Sequence, residues 1–438
     1  MSKKSVYIVQ IIVALFGIGN ALALPLFYFG DTQQKNVVSK SPFEIALTKG
    51  YEALGMRKAS EAKSFFDEAI RLDPKSITPW LGLADAAMLA NDSAAIEAAL
   101  KKATELAPDR AEPVIAMARY RYSRKFYDDA EAMLRKAAKM DPQSAVPLVD
   151  LGDLYAGTRQ NPDKAMEFYR EAIRVAPTHA GANYALGSLL LARKDALGAI
   201  PFLLAAQESA GDKNPLPSMA LGRAYAQAKK WKQAQETFTR ALTIEPDLAE
   251  AYLGRSATYI EKGSRDTMIA DLRKAEELNP RNPEAAFRIG MLQQEAGAAK
   301  EAYESYERAI RIEPKLALAY NNLAWLAATR RERLAEALAW IQKARSLVPK
   351  EPSFYDTHGW VLRAKGDLPA AVTVLSQGIA LRPSADLYYH LGVVQMEMGH
   401  FDEARGNLLK ALQIQPDFGD AGDAKNRLKQ SELLPKAK

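Results

Sequence analysis

The chain contains no cysteine. Disulfides, thiol catalysis, cysteine-ligated zinc, c-type haem attachment and a lipid-modified N-terminal cysteine are thereby excluded. Histidine is scarce: the four are His179, His358, His390 and His400, and none has a second histidine three or four residues away, so no helical metal site is indicated. No glycine-rich phosphate loop and no serine-centred nucleophile motif occurs. A dominant charge sign is missing as well. The net charge of +6 comes from 59 basic and 53 acidic residues mixed along the chain, which fits a solvated helical surface better than a nucleic-acid footprint. Local basic clusters (Arg121, Arg124 and Lys125; Lys229, Lys230 and Lys232; Arg330, Arg331 and Arg333) fall near expected inter-helix turns, where cations complement a helix C-terminus. The alternative for these clusters is an acidic partner or an anionic lipid surface. The expectation is a protein that is not an enzyme, with no cofactor, no metal, no nucleic acid and no small-molecule substrate.

Long apolar runs are absent except for one. Val6 to Phe29 holds 24 residues without a charge. At ~1.5 Å per residue this makes about 36 Å of helix, enough to cross a bilayer core. Tyr28 and Phe29 stand where interfacial aromatic anchors belong, and the run continues past Ala21-Leu22-Ala23, the small-x-small site that a cleavable signal peptide would use. Residues 1–30 therefore read as an uncleaved membrane anchor, with the cleaved signal as the competing reading. Lys3 and Lys4 precede the span and Asp31, Lys35 and Lys40 follow it, a slight bias that places the remainder on the extracytoplasmic (periplasmic) side, with the cytoplasmic face as the alternative. Residues 31–42 are polar and aperiodic and read as a short tether.

From residue 43 to residue 416 the chain repeats. Pro74, Pro108, Pro142, Pro177, Pro246, Pro280, Pro314, Pro349, Pro383 and Pro416 are separated by 34, 34, 35, 69, 34, 34, 35, 34 and 33 residues. Proline disfavours helix in the residue before it and cannot donate to the helical ladder, so each one ends a unit. The gap of 69 hides a further unit, in which Leu186, Gly187, Leu190, Ala199, Leu203 and Ala206 keep the spacing, and the total is eleven. Within Leu221 to Pro246, Leu221, Gly222 and Tyr225 form one apolar stripe and Ala234, Phe238 and Ala241 a second: two amphipathic helices and a stop. Leu151, Gly152, Tyr155, Ala165, Tyr169, Ala172 and Pro177 match at every key position. One-residue insertions near Asn161-Pro162 and Arg330-Arg331 fall between paired helices, where extra length costs little. Residues 417–438 read as a polar helix covering the last unit, followed by a frayed tail.

This spacing resembles the tetratricopeptide repeat family, with its Leu-Gly-x2-Tyr, Ala-x3-Phe and Pro signature at a period of 34 residues. The resemblance implies an all-α fold, a right-handed α-solenoid superhelix of about eleven helix-turn-helix repeats, here preceded by the N-terminal transmembrane helix. It implies also that the first helix of each pair lines a concave groove, which this register furnishes with Tyr184, Arg223, Leu253, Phe287, Met291, Asn321, Trp325, Trp360, Arg363 and Tyr389. Large rigid side chains of this kind suit a protein-binding hot spot. Trp325, Trp360 and Tyr389 recur at one register in three consecutive repeats; the structural alternative is that they fill gaps between helices. The family's basic clamp for a terminal carboxylate does not map, because Asn321 and Arg363 are present without its lysines. The expected function is a membrane-tethered scaffold or adaptor that binds other proteins in its groove for assembly of a membrane or envelope complex, with a component of an export or polysaccharide secretion apparatus as the alternative.

Overall fold

The structure, a computed structural model, describes residues 41–260 and 265–432. The apolar run at 6–29 and most of the tether after it lie outside the described residues. Among the described residues there are 23 α-helices, one short 3-10 helix and no strand, and no helix is long and apolar enough to cross a membrane.

The chain divides into two compact units that meet in sequence at Ala228 and Lys229. The first contains five helix pairs, repeats 1 to 5 (Pro42–Gly55 with Ala59–Leu72, Thr78–Ala90 with Ser93–Leu106, Ala111–Ser123 with Tyr127–Met140, Val146–Gly157 with Pro162–Val175, Ala180–Ala192 with Ala196–Ala210), and then the helix Leu216–Gln227. The second opens on the helix Trp231–Ile244. It continues with repeats 7 to 11: Ala249–Ser256 extended by the 3-10 turn Ala257–Ile260 and paired with Arg265–Leu278, then Pro283–Glu295 with Ala299–Ile312, Ala317–Arg330 with Leu334–Leu347, Pro352–Lys365 with Leu368–Leu381, and Ala385–Glu397 with Phe401–Ile414. The helix Ala421–Glu432 follows. The unit inferred inside the 69-residue proline gap is present as repeat 5, with Leu203 fully buried and Gly211 at φ +60° closing its second helix. Both inferred insertions fall between paired helices.

Local chemistry starts and stops these helices. Ser41 accepts from the Glu44 backbone N–H at 3.2 Å while its own N–H donates to the Glu44 carboxylate at 2.8 Å, a reciprocal cap that satisfies two orphan donors. Asp92, Asn161, Asp195, Asp367 and Ser384 cap others with side-chain oxygens. The turn from first to second helix carries a residue with positive φ, and this backbone mark recurs with the repeat period: Arg57, Asn91, Lys125, Gln160, Lys194 and Lys229, then Gly297, Arg331, Gly366 and Gly399, with Arg333 a second one in the longer turn of repeat 9. Only glycine adopts this conformation without a steric cost.

Packing explains the small residue near the middle of each first helix. Phe66, fully buried, lies between Gly50 of its own repeat and Gly82 of the next; a methyl added at either would stand 2.6 or 2.5 Å from its ring. Phe66 thus needs a missing side chain on both neighbours, because the ring fills the space that a side chain would occupy. In the second unit, Tyr306 and Leu408 take the equivalent place against Gly290 and Gly392. The last helix contributes Ala421 and Ala424 and, just ahead of it, Phe418 joins them in a cluster with Tyr389, Val393, Leu408 and Ala411 of repeat 11.

Candidate partner-binding site

In repeat 9, the first helix ALAYNNLAWLAATR buries Leu323, Ala324 and Ala327 completely, which leaves Asn321 and Trp325 together on a separate, half-buried stripe one turn apart. The first helix of repeat 10, started by Pro352 and capped by Glu351, carries Trp360 at the same register. Six residues separate each tryptophan from its positive-φ turn residue, Arg331 or Gly366. The two indoles stack, with ring centroids 6.1 Å apart and planes 19° from parallel.

His390 of repeat 11 completes the stack. Its ring lies 4.2 Å from Trp360, 5.6 Å from Trp325 and 5.2 Å from Tyr389, and its Nδ1 is 2.6 Å from the Asp356 carboxylate. Burial disfavours the imidazolium, but Asp356 beside it, with Asp386 and Asp420 nearby, outweighs burial and holds the pKa above its ordinary value. Arg363 lies over the Trp360 ring at 4.2 Å and is held by Glu397, to which its Nε donates at 2.9 Å. Tyr389 donates from its hydroxyl to Asp423 at 2.6 Å. The three polar pairs Asp356 with His390, Arg363 with Glu397, and Tyr389 with Asp423 each join residues 34 apart. The nearby His358 behaves oppositely. Burial and the Arg345 guanidinium push its pKa down to about 4, so it is neutral.

Of the residues assigned to the groove from sequence, the structure brings Trp325, Trp360, Arg363 and Tyr389 together. Tyr389 does not share the tryptophans' register: it stands four residues earlier in the repeat, level with Asn321 and Asp356, and is buried. Phe287 is 2% exposed, packed 5.9 Å from Tyr306, and Met291 and Leu253 are buried too, so these three side chains belong to the core between neighbouring repeats. Asn321 is half-buried. Its Nδ2 donates to Asn322 at 3.3 Å, and its Oδ1 is buried with no hydrogen-bond partner among the described residues. Tyr184 and Arg223 are half-buried on first helices of the other unit. Sequence reasoning missed His390 and Asp356 because it sought histidine partners one helical turn away. The informative spacing was one repeat.

The first unit fills the tryptophan register differently. Asp85, Arg119 and Asp153, in repeats 2, 3 and 4, stand there 34 residues apart. Arg119 is held bidentately by Asp150, at 2.7 and 3.0 Å, and the Tyr169 hydroxyl donates to Asp153 at 2.6 Å. Burial pushes both Asp85 and Asp153 up to about 6, against the opposing pull of Arg119 on the one and chiefly of the Tyr169 hydrogen bond on the other.

Family models for the tetratricopeptide repeat match residues 43–76, 115–180, 150–215, 219–252, 249–282, 283–316 and 385–418, and a TPR repeat model matches 359–399, covering most of the chain between them. The chain belongs to the tetratricopeptide repeat family. Such repeats are protein-interaction modules, and the chain is an all-helical tetratricopeptide solenoid of that kind. Human tetratricopeptide repeat protein 6 is 27% identical over 192 residues, 43% of this chain and 36% of that protein. Bovine BBSome complex member BBS4 is 27% identical over 206 residues, 46% of this chain and 38% of that one. Human protein O-mannosyl-transferase TMTC1 is 27% identical over 202 residues, 45% and 23% of the two chains. The matches thus span well under half the length of these relatives. Among solved structures, the APC/C hetero-tetramer Cut9-Hcn1 aligns over 90% of this tetratricopeptide chain and 97% of its own at 16% identity, with a TM-score of 0.44, and yeast Tom70 over 89% and 96% at 16% identity, with a TM-score of 0.41.

Proposed function

We propose that the protein is a membrane-tethered scaffold whose repeats 43–416 wind into a right-handed superhelix, grip an extended segment of another protein along the first helices of repeats 9 to 11, and hold it near the membrane for assembly of an envelope or membrane complex. Residues 1–30 would anchor it, 31–42 would tether it, and 417–438 would cap the last repeat, with the array on the extracytoplasmic side. The observation that carries the reading is Trp325, a half-buried indole held against Trp360 and His390 rather than sunk into the core. Its support is rigid, so a partner would gain apolar area there at small entropic cost. Asn321, one turn away, supplies a buried acceptor without a partner among the described residues, which a backbone N–H would satisfy after a small side-chain shift. Binding, not catalysis, is the activity.

Crosslinking of the full chain in its native membranes, compared with Trp325→Ala, tests the reading. The crosslinked protein should be lost from the variant while helical content is unchanged; equal crosslinking by both proteins overturns it. Trp325 is the better probe because Trp360 also packs against two core clusters. For the anchor, the mature protein should retain Met1 to Gly30, and an N-terminus at Leu24 would refute it.

A further inference from the structure

The Trp325 and Trp360 rings do not hold each other alone: they share a buried histidine that is hydrogen-bonded to a carboxylate one repeat earlier. His390 is 4% exposed. Asp356 is hydrogen-bonded to it from the first helix of repeat 10, the charges of Asp386 on its own helix and Asp420 ahead of the last helix also favour its protonated form, and repeat 9 offers it Trp325. One carboxylate thus touches the imidazole and two more favour its charge, and the ring is within cation–π range of Trp360.

We propose that His390 is a proton-operated latch for the indole platform, closed when the imidazolium bridges Asp356 and Trp360 and opened when the ring is neutral. The physical reason is a change in both contacts at once. A charge-assisted hydrogen bond is roughly twice as strong as a neutral one, and the attraction to the indole face disappears with the charge. The carboxylates then draw in water, His390 leaves the stack and Trp325 loses its backing. The sign follows from the group's environment: the folded-state pKa is raised, so the latch is fully closed below the ordinary histidine value of about 6.5 and opens as pH rises through the higher folded value. His358 does not follow it, being neutral throughout that range. The consequence for partner capture rests on the function proposed above; the latch itself does not.

The test is the indole circular dichroism and fluorescence of the full chain from about pH 5 to about pH 9, with far-ultraviolet helicity as the folding control. The wild type should lose its stacked-indole signal in a single-proton transition above about pH 6.5 at constant helicity. His390→Gln should show no such transition, and Asp356→Asn should move it down by about one pH unit or more. An invariant wild-type signal, the same transition in His390→Gln, or an unshifted one in Asp356→Asn overturns the latch; should one variant fail to fold, the other still decides. Crosslinking in native membranes at about pH 6 and about pH 8 separates the two readings, with capture expected to weaken by up to ~tenfold per pH unit past the midpoint, the limit for one linked proton. If the stack titrates and capture does not follow, the platform is not the capture site; if capture depends on Trp325 but the stack does not titrate, the latch fails alone.

Discussion

One register of the repeat carries opposite chemistry in the two units. In repeats 2 to 4 it holds Asp85, Arg119 and Asp153, an ionic row with more carboxylates than cations, and in repeats 9 and 10 it holds Trp325 and Trp360, stacked indoles. The fold tolerates both because the closest contact with the second helix is made one residue earlier, and a second-helix side chain such as Tyr169 reaches this stripe only with its polar end. That closest contact belongs to Gly152 and Ala118 in the one unit and to Ala324 and Gly359 in the other. The repeat therefore sets where a side chain stands while leaving its chemistry open. Charged occupants find partners in their own repeat or the next, Tyr169 for Asp153 and Asp150 for Arg119; aromatic ones stack on each other.

The largest break in this comparison is expected at Arg119. Replacing it with Ala leaves Asp85, Asp150 and Asp153 half-buried beside one another without their cation, and should cost about 2–3 kcal/mol in denaturant unfolding, toward the low end for paired charges because the site is partly solvated. By contrast Trp325→Ala in the other unit should cost only about 1–2 kcal/mol, since the half-buried indole gives up its stack and part of its apolar burial but leaves no unpaired charge behind.

A smaller effect sharpens the ionic side. Asp85 and Asp153 have folded pKa values of about 6, above those of an unfolded chain, so the folded state takes up protons first. Stability should consequently rise as pH falls from about 6 toward about 4, and thermal melts of Asp85→Asn with Asp153→Asn should lose that rise. An unchanged pH dependence in the double variant would show that these carboxylates are solvated.

The smallest expected effect lies at the turns. The first unit places Arg57, Asn91, Lys125, Gln160 and Lys194 at positive φ, whereas the second uses Gly297, Gly366 and Gly399 at three of its turns. Lys194 is exposed, and Lys194→Gly should stabilise by about 0.5–1 kcal/mol, since the relief of left-handed strain exceeds the extra chain entropy of glycine. A loss of stability would mean that Lys194 earns its place through a contact instead.

Much of this architecture was legible beforehand. The prolines and the apolar stripes located the helix pairs, including the one without a terminal proline, because helix ends and stripe periods are local properties. The break of the first helix of repeat 7 at Ser256, where a 3-10 turn replaces its last residues, carried no such signal. At the candidate site, Trp325 and Trp360 were readable as recurring aromatics. Phe287 and Met291 were assigned to a surface and are buried, because they join a core cluster built from Tyr306 of their own repeat and from the first helix of repeat 9. His390 was set aside as an isolated histidine although its partner waits one period upstream.

What the amino-acid sequence determined by itself was the helix pair, its length and its stops, since hydrogen bonds within a helix, proline geometry and stripe spacing act over a few residues. What only the tertiary structure decided was which stripe residues are covered and which carboxylate meets which cation or imidazole. Those contacts join residues about 34 positions apart, and they form only when one repeat is laid against the next.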